Sequence, residues 1–214
     1  MKYTALIVTF NRLGKLKKTV EETLKLEFTN IVIVNNGSTD GTQAWLSSIV
    51  DTRVIVLTLT ENTGGAGGFK TGSQYICEQL ASDWVFFYDD DAYPYPDTLK
   101  SFSQLDKRGC RVFSGLVKDP QGKPCPMNMP FSRVPTSLGD TVRYLRYPAE
   151  FIPAANRSMF VQTVSFVGMV IHRDLLATSL DYIREQLFIY FDDLYFGYQL
   201  SLAGEQIMYS PELL

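Results

Sequence analysis

Trp84-Val85-Phe86-Phe87-Tyr88 runs without a break into Asp89-Asp90-Asp91. Five large apolar residues followed by three acids read as a buried strand that stops at a polar sheet edge. Three adjacent carboxylates repel one another, so their grouping asks for a reason. If the backbone stays extended, Asp89 and Asp91 point to one side and Asp90 to the other. Two carboxylates on one side suit a hard divalent cation such as Mn2+ or Mg2+, which prefers oxygen ligands. Such a cation could bridge to a diphosphate and take up charge as it leaves. The plainer alternative is a solvated acidic turn that caps the next helix.

Toward the N-terminus the chain alternates strand, polar turn and helix. Thr4–Phe10 is an apolar strand, and Arg12–Leu26 carries Leu13, Leu16, Val20 and Leu24 on one helical stripe. Asn30–Val34 predicts a second strand, Thr42–Ile49 a short helix and Arg53–Thr58 a third strand. The glycine-rich loop Asn62–Gly68 leads into a helix that ends near Leu80. Strands alternating with helices predict an α/β fold: a mostly parallel sheet flanked by helices, with right-handed crossovers. Ligands of such sheets bind beyond the carboxyl ends of the strands, where the polar motifs fall.

Toward the C-terminus the pattern loosens. Pro94-Tyr95-Pro96-Asp97 opens a helix, and Arg111–Val117 reads as a strand. Asp119–Arg143 is loop-rich, with Pro120, Pro124, Pro126, Pro130 and Pro135, as befits a segment that covers or shapes a site. Thr163–His172 predicts a strand and Asp192–Leu202 a helix closed by Gly204. No repeat or linker divides the chain. We read residues 1–214 as one domain, with a ligand-binding half over 1–91 and a second half over 92–214.

Three further constellations carry chemistry. In Asn62-Thr63-Gly64-Gly65-Ala66-Gly67-Gly68-Phe69-Lys70, four glycines before a helix let backbone amides approach a ligand, or let the helix pack tightly on the sheet. In Asn35-Asn36-Gly37-Ser38-Thr39-Asp40-Gly41-Thr42, asparagine offers the donor and acceptor that a uracil-like base edge needs. An Asx-turn capped by Asp40 or Thr39 explains the same residues equally well. In Phe191-Asp192-Asp193-Leu194-Tyr195-Phe196-Gly197-Tyr198, a carboxylate at a pocket mouth could accept a proton, or simply cap the helix.

Composition narrows the classes. The 214 residues are 45% hydrophobic and 20% charged, with 20 basic against 23 acidic side chains. That balance argues for a globular domain and against nucleic acid as a partner. Cys77, Cys110 and Cys125 are too few and too far apart for a disulfide framework or a zinc knuckle. The single histidine, His172, rules out a His-rich metal centre within this chain and reads as structural. No apolar run reaches membrane-spanning length, so the expectation is a cytoplasmic protein, at most peripheral to the inner face of the cell membrane.

Taken in order, Thr9-Phe10-Asn11-Arg12, Val34–Thr42, Asn62–Phe69, Asp89-Asp90-Asp91 and Phe191-Asp192-Asp193 resemble the inverting glycosyltransferases of family 2, which have a GT-A fold. The Asn-x-Gly-Gly-Ala-Gly-Gly-Phe element with three acids looks most like the galactofuranosyl- and rhamnosyltransferase branch. The resemblance implies transfer of a sugar from a UDP- or dTDP-sugar to a glycan or glycolipid acceptor, in cell-surface polysaccharide synthesis. It implies that Thr9, Asn11, Arg12 and Asn36 line the nucleotide pocket and that Gly64, Gly65 and Lys70 border the donor. Asp89 and Asp91 would hold Mn2+ or Mg2+, with Asp90 beside them on the donor. Asp193 would be the general base, with Asp192 next to it.

The chain departs from the family pattern at two points. Tyr195 and Gln199 stand where the family often has an acid and an arginine, which leaves the choice between Asp192 and Asp193 open. Related enzymes also take a metal-binding histidine from a segment after this helix, and none occurs before Leu214. Either water completes the coordination or a further C-terminal segment does. Two other functions share parts of this pattern: a nucleotidyltransferase that makes a nucleotide sugar, and a non-catalytic nucleotide-sugar-binding protein. The first calls for a basic glycine-rich loop after the first strand, where this chain has Asn11-Arg12-Leu13-Gly14-Lys15.

Overall fold

The computed structural model describes residues 1–213. Eight strands form one sheet: β1 (Tyr3–Thr9), β2 (Asn30–Asn35), β3 (Val54–Thr58), β4 (Trp84–Asp89), β5 (Val112–Gly115), β6 (Met159–Val161), β7 (Met169–His172) and β8 (Ile207–Ser210). Their order is β3-β2-β1-β4-β7-β5-β8-β6. The pairings β3-β2, β2-β1, β1-β4 and β5-β8 are parallel. β7 runs antiparallel to both β4 and β5, and β6 is antiparallel to β8.

Among the described residues, seven α-helices accompany the sheet: α1 (Leu13–Leu24), α2 (Thr42–Leu46), α3 (Gly64–Gln79), α4 (Thr98–Gln104), α5 (Leu138–Arg146), α6 (Arg173–Ser179) and α7 (Asp192–Leu202). The apolar runs of β1 and β4 are continuous because both faces are covered. On one face Leu6, Val8, Val85 and Phe87 pack with Phe69 and Ile76 of α3, Leu175 and Leu176 of α6, and Phe196 and Leu200 of α7. On the other, Ala5, Ile7, Trp84 and Phe86 pack with Leu16 and Val20 of α1 and Leu99 and Phe102 of α4.

The α/β architecture agrees with the sequence reading, and several boundaries do not. The glycine run Gly64–Gly68 is not a loop ahead of a helix; it opens α3 itself. A Cβ at Gly68 would lie 2.5 Å from the Val8 side chain, and one at Gly72 would lie 2.2 Å from that of Leu6. The missing side chains therefore let α3 lie close against β1. The strand expected over Thr163–His172 begins only at Met169, after Gly168 turns the backbone at a φ of 91°. Within the loop-rich segment, α5 starts at Ser137, whose hydroxyl accepts from the Asp140 amide. The short elements β6, α6 and β8 were not anticipated, because three- to seven-residue apolar runs carry no periodicity to read.

Candidate functional site

The carboxyl ends of β1 and β4 lie side by side, with Val8 in register with Asp89. There the acidic run leaves the sheet. The Asp89 carbonyl accepts from the Ala92 amide at 3.2 Å, closing a turn, so the extended backbone that would place Asp89 and Asp91 on one side is not formed. The turn gives the three acids three environments. Asp90 is buried and accepts from the Thr9 hydroxyl at 2.8 Å and from Arg12 Nη1 at 3.5 Å. Thr19 of α1 donates to the Asp90 carbonyl at 2.8 Å. Asp91 is exposed and pairs with Arg12 Nη1 at 3.0 Å and Lys15 Nζ at 2.8 Å.

Asp89 is half-buried and faces the groove. Burial, then the charges of Asp90 and Asp91, push its carboxyl up to about 7. Arg12 acts the other way, and Asp192 adds to the rise. Asp192 opens α7 and is itself buried; desolvation first, then Asp193, raise it to about 6. Asp192 thus lies close enough to Asp89 to raise it, although more than a hundred positions separate them in sequence. Among the described residues, no three His, Cys, Asp or Glu side chains gather closely enough to hold a metal ion alone.

The loop after β2 is held from within. Asn36 is buried: its Nδ2 donates to Asn62 Oδ1 at 3.1 Å and to the Gly64 carbonyl at 2.8 Å, and its Oδ1 accepts from the Thr63 amide at 3.0 Å. Asn36 lines the groove, but its amide is engaged in fixing the start of α3. Asn11, in left-handed conformation at a φ of 53°, accepts at Oδ1 from the Thr39 amide at 2.7 Å and ties the loop to β1. Asp40 accepts from the Leu13 amide at 3.0 Å and the Thr42 hydroxyl at 2.6 Å, bridging the starts of α1 and α2. The Thr42 hydroxyl, then the Leu13 amide, hold its carboxyl below the usual range.

Residues 185–191 strap the groove. The Phe188 carbonyl accepts from the Ala66 amide in the first turn of α3 at 3.0 Å. Phe188 and Phe191 both take positive φ, 59° and 62°, a conformation that costs bulky residues energy. Gly64, at a φ of 73°, accommodates the strap: a Cβ there would lie 2.2 Å from the Phe188 carbonyl oxygen. Lys70 does not line the groove; its Nζ pairs with Glu185 at 3.3 Å, at the root of the strap. The remaining cavity is about 190 Å³, bordered by Thr9, Arg12, Asn36, Gly64, Gly65, Asp89, Asp90, Phe188 and Ile189. That is below the roughly 300–1,000 Å³ of sites that hold ligands of drug size. A wider hollow of about 390 Å³ lies at the other end of β4, near Glu78, Ser82 and Arg173. It contains no residue of the sequence-predicted set and is open to solvent.

Asp193 turns away from Asp89, toward the segment before β7. Its Oδ1 accepts from the Leu194 amide at 2.6 Å. Burial raises its carboxyl, while the Leu194 amide, the Ser165 hydroxyl and the Phe166 amide act in the opposite direction. Sequence reading missed Lys15 and Ser165; Phe188 and Ile189 belong to the aromatic run Phe188–Phe196, which reads as core and pocket wall. Only the exposed aromatic run ahead of Asp192 offered a signal for the strap. His172 has the structural role expected of it, its Nδ1 accepting from the Asp174 amide at 3.3 Å to cap α6.

The profile of the family described as glycosyl transferase family 2 matches residues 4–164. No curated protein matches the chain. Among solved structures, S. aureus TarS 1–349 superposes with a TM-score of 0.66 at 19% identity, covering 99% of this chain and 58% of its own. A mannosyltransferase, PcManGT from Pyrobaculum calidifontis, solved with GDP-Man and Mn2+, gives a TM-score of 0.63 at 20% identity over 99% of this chain and 55% of its own. GalNAc-T7 with UDP, GalNAc and Mn2+ gives 0.67 at 14% identity over 98% and 42%. The chain therefore spans a little over half of the first structure and less than half of the last.

Proposed function

Because the chain belongs to glycosyltransferase family 2 and has a GT-A-like α/β fold, we propose that it transfers a sugar from a UDP- or dTDP-sugar to a glycan or glycolipid hydroxyl, with inversion at the anomeric carbon. One observation carries this reading. Asp89 from β4 lines the groove where α3 begins, Asp192 from α7 lies behind Gly65 at its edge, and burial raises both carboxyls. Unneutralised acids beside helix amides and a cationic pair, Arg12 and Lys15, suit an anionic ligand that arrives with a divalent cation. A UDP-GlcNAc complex of TarS and the Mn2+ complexes above are consistent with that class of ligand.

The donor set fits the cation in part. Asp89 would offer hard oxygen ligands, and Asp91, here paired with Arg12 and Lys15, would be the second carboxylate. When bound, Mn2+ or Mg2+ would supply charge neutralisation for the departing diphosphate. The rest falls to the chain. Thr9, Arg12 and Asp90 shape the donor end, Asn11 and Asn36 hold the loops that flank the nucleotide, and Gly64 and Gly65 let it approach α3. Lys70 anchors the strap beside the donor through Glu185. Asp193 takes the proton of the acceptor hydroxyl, whose oxygen bonds to the anomeric carbon. The bond from that carbon to the nucleoside diphosphate breaks on the opposite side, with the electron pair leaving on phosphate oxygen. Asp192, nearer Asp89, stands between base and donor.

The galactofuranosyl or rhamnosyl character and a cell-surface polysaccharide product rest on the glycine-rich element and the acid run. No helix among the described residues is long and apolar enough to cross a membrane, and we infer a cytoplasmic enzyme that meets its acceptor at the membrane's inner face. The deciding experiment is a panel of UDP- and dTDP-sugars with Mn2+, read by release of nucleoside diphosphate. Turnover of one member is expected. Asp193→Asn should keep donor binding and lose transfer by about 10²-fold or more, the usual reach of a general base. Transfer at the wild-type rate in that variant would remove Asp193 from the mechanism.

A further inference from the structure

Helix α5 turns its apolar side away from the protein. Leu138, Val142 and Leu145 are spaced i, i+4 and i+7, which places them on one helical face. They are 88%, 66% and 77% exposed. The opposite face does the anchoring. Within the helix only Asp140 and Tyr144 are partly buried. Asp140 accepts from Arg133, and Tyr144 meets Phe131 and the buried Phe151 edge-on, at ring distances of 5.3 and 5.7 Å. Ser137 caps the start, and Arg143 pairs with Glu150 at 2.5 Å near the end. Single apolar side chains on a surface need no explanation; a row of three on one fixed helix face does.

The surroundings of that row are basic. Arg146, four residues beyond Val142, borders it, and its guanidinium lies 5.5 Å from the ring of Tyr147, the exposed aromatic that ends the helix. Residues 126–162 hold four arginines against two acids, Asp140 and Glu150, in a chain whose net charge is −3. Arg133 and Arg143 pair with those acids; among the described residues, Arg146 and the exposed Arg157 form no salt bridge. We propose that α5 docks the protein on an anionic membrane surface, with Leu138, Val142 and Leu145 entering between the headgroups and Arg146 and Arg157 facing lipid phosphate. An apolar stripe bordered by cations and an aromatic suits a helix that lies in the interface plane. A protein partner fits less well. A stable protein interface takes roughly 800 Å² from each side, more than three aliphatic side chains supply. A bilayer demands no complementary shape and adds the attraction of its surface charge. Such contact is reversible and weakens with salt. The proposal rests on the inner-face reading above, which it deepens by naming the surface, and on none of the transfer chemistry.

Vesicle flotation is the test. The protein should bind vesicles of equal phosphatidylcholine and phosphatidylglycerol, and should bind pure phosphatidylcholine at least about tenfold more weakly. Val142→Ser combined with Leu145→Ser should weaken binding to the mixed vesicles by about tenfold or more, since both side chains leave the hydrocarbon boundary. Arg146→Gln should weaken it by about fivefold, the share of one surface cation. These positions are exposed, so Tm and release of nucleoside diphosphate in the sugar panel should stay at wild-type values. Emission of Leu145→Trp should shift to shorter wavelength on the mixed vesicles, which locates the contact at α5. No binding by the wild type, or equal binding by the double serine variant, overturns the proposal. So does a dimer in sedimentation that the double variant dissolves without any vesicle binding, which would assign the stripe to a second copy. Absence of turnover across the panel, with vesicle binding intact, overturns the transfer reading and leaves the docking surface standing.

Discussion

At Asp89, stability and the proposed function pull against each other. Its folded-state carboxyl titrates near 7, above the unfolded value near 4, because burial and two neighbouring acids disfavour its charge. The native state therefore binds more protons than the unfolded chain between those values, and stability falls as pH rises through that window. Asp89→Asn is expected to flatten this pH dependence and to raise Tm at pH 8 by about 2–4 °C, the shift that one kcal/mol gives at this chain length. Thermal melts from pH 5 to pH 8 decide it; a variant that melts lower at pH 8 would show the carboxylate to be stabilising. On the proposed reading, the same group links cation binding to protons. Below pH 7, Mn2+ affinity measured by calorimetry should drop by up to about tenfold per pH unit, since the ligand must be deprotonated. A flat profile would take Asp89 out of the cation site. The sequence marked these acids but not their separate surroundings. Strand alternation assumes a strand, and the Asp89–Ala92 turn ends it.

At the level of elements, α3 and the strap form one unit. Gly64 needs a left-handed backbone and has a carbonyl where a Cβ would sit. Gly64→Ala should therefore cost about 1–3 kcal/mol in urea unfolding, from strain at positive φ plus displacement of the strap. A loss below about 0.5 kcal/mol would mean that the strap moves aside freely. Gly72→Ala meets the Leu6 side chain on the sheet face, and overpacking there should also cost about 1–3 kcal/mol. Helix α7 was legible to the residue, since two acids start its apolar stripe and Gly204 follows its end. The strap was not. Phe188-Ile189-Tyr190-Phe191 has the composition of a core strand, and only the backbone signs at Phe188 and Phe191 reveal a turn over the groove.

Across the molecule, the half that ends at Asp91 follows its sequence closely, because β1, α1, β2, β3, α3 and β4 each carry a full period of pattern. Beyond it the direction of β7 was hidden. Four apolar residues, Met169–His172, fit a parallel or an antiparallel neighbour equally well, and the choice is made by β4 and β5 on either side. The candidate site divides the same way. Its Asp89 end comes from motifs on regular elements, while its strap depends on a long-range contact, the Phe188 carbonyl with the Ala66 amide.

The hydrogen bond between the Phe188 carbonyl and the Ala66 amide has a kinetic corollary. A nucleotide sugar that needs this amide competes with a peptide group tethered permanently at the spot, so the measured dissociation constant is the intrinsic one divided by the fraction of molecules unlatched. Stopped-flow association should then level off at high ligand concentration, at the rate of unlatching. A linear dependence throughout would mean that the amide is never contested.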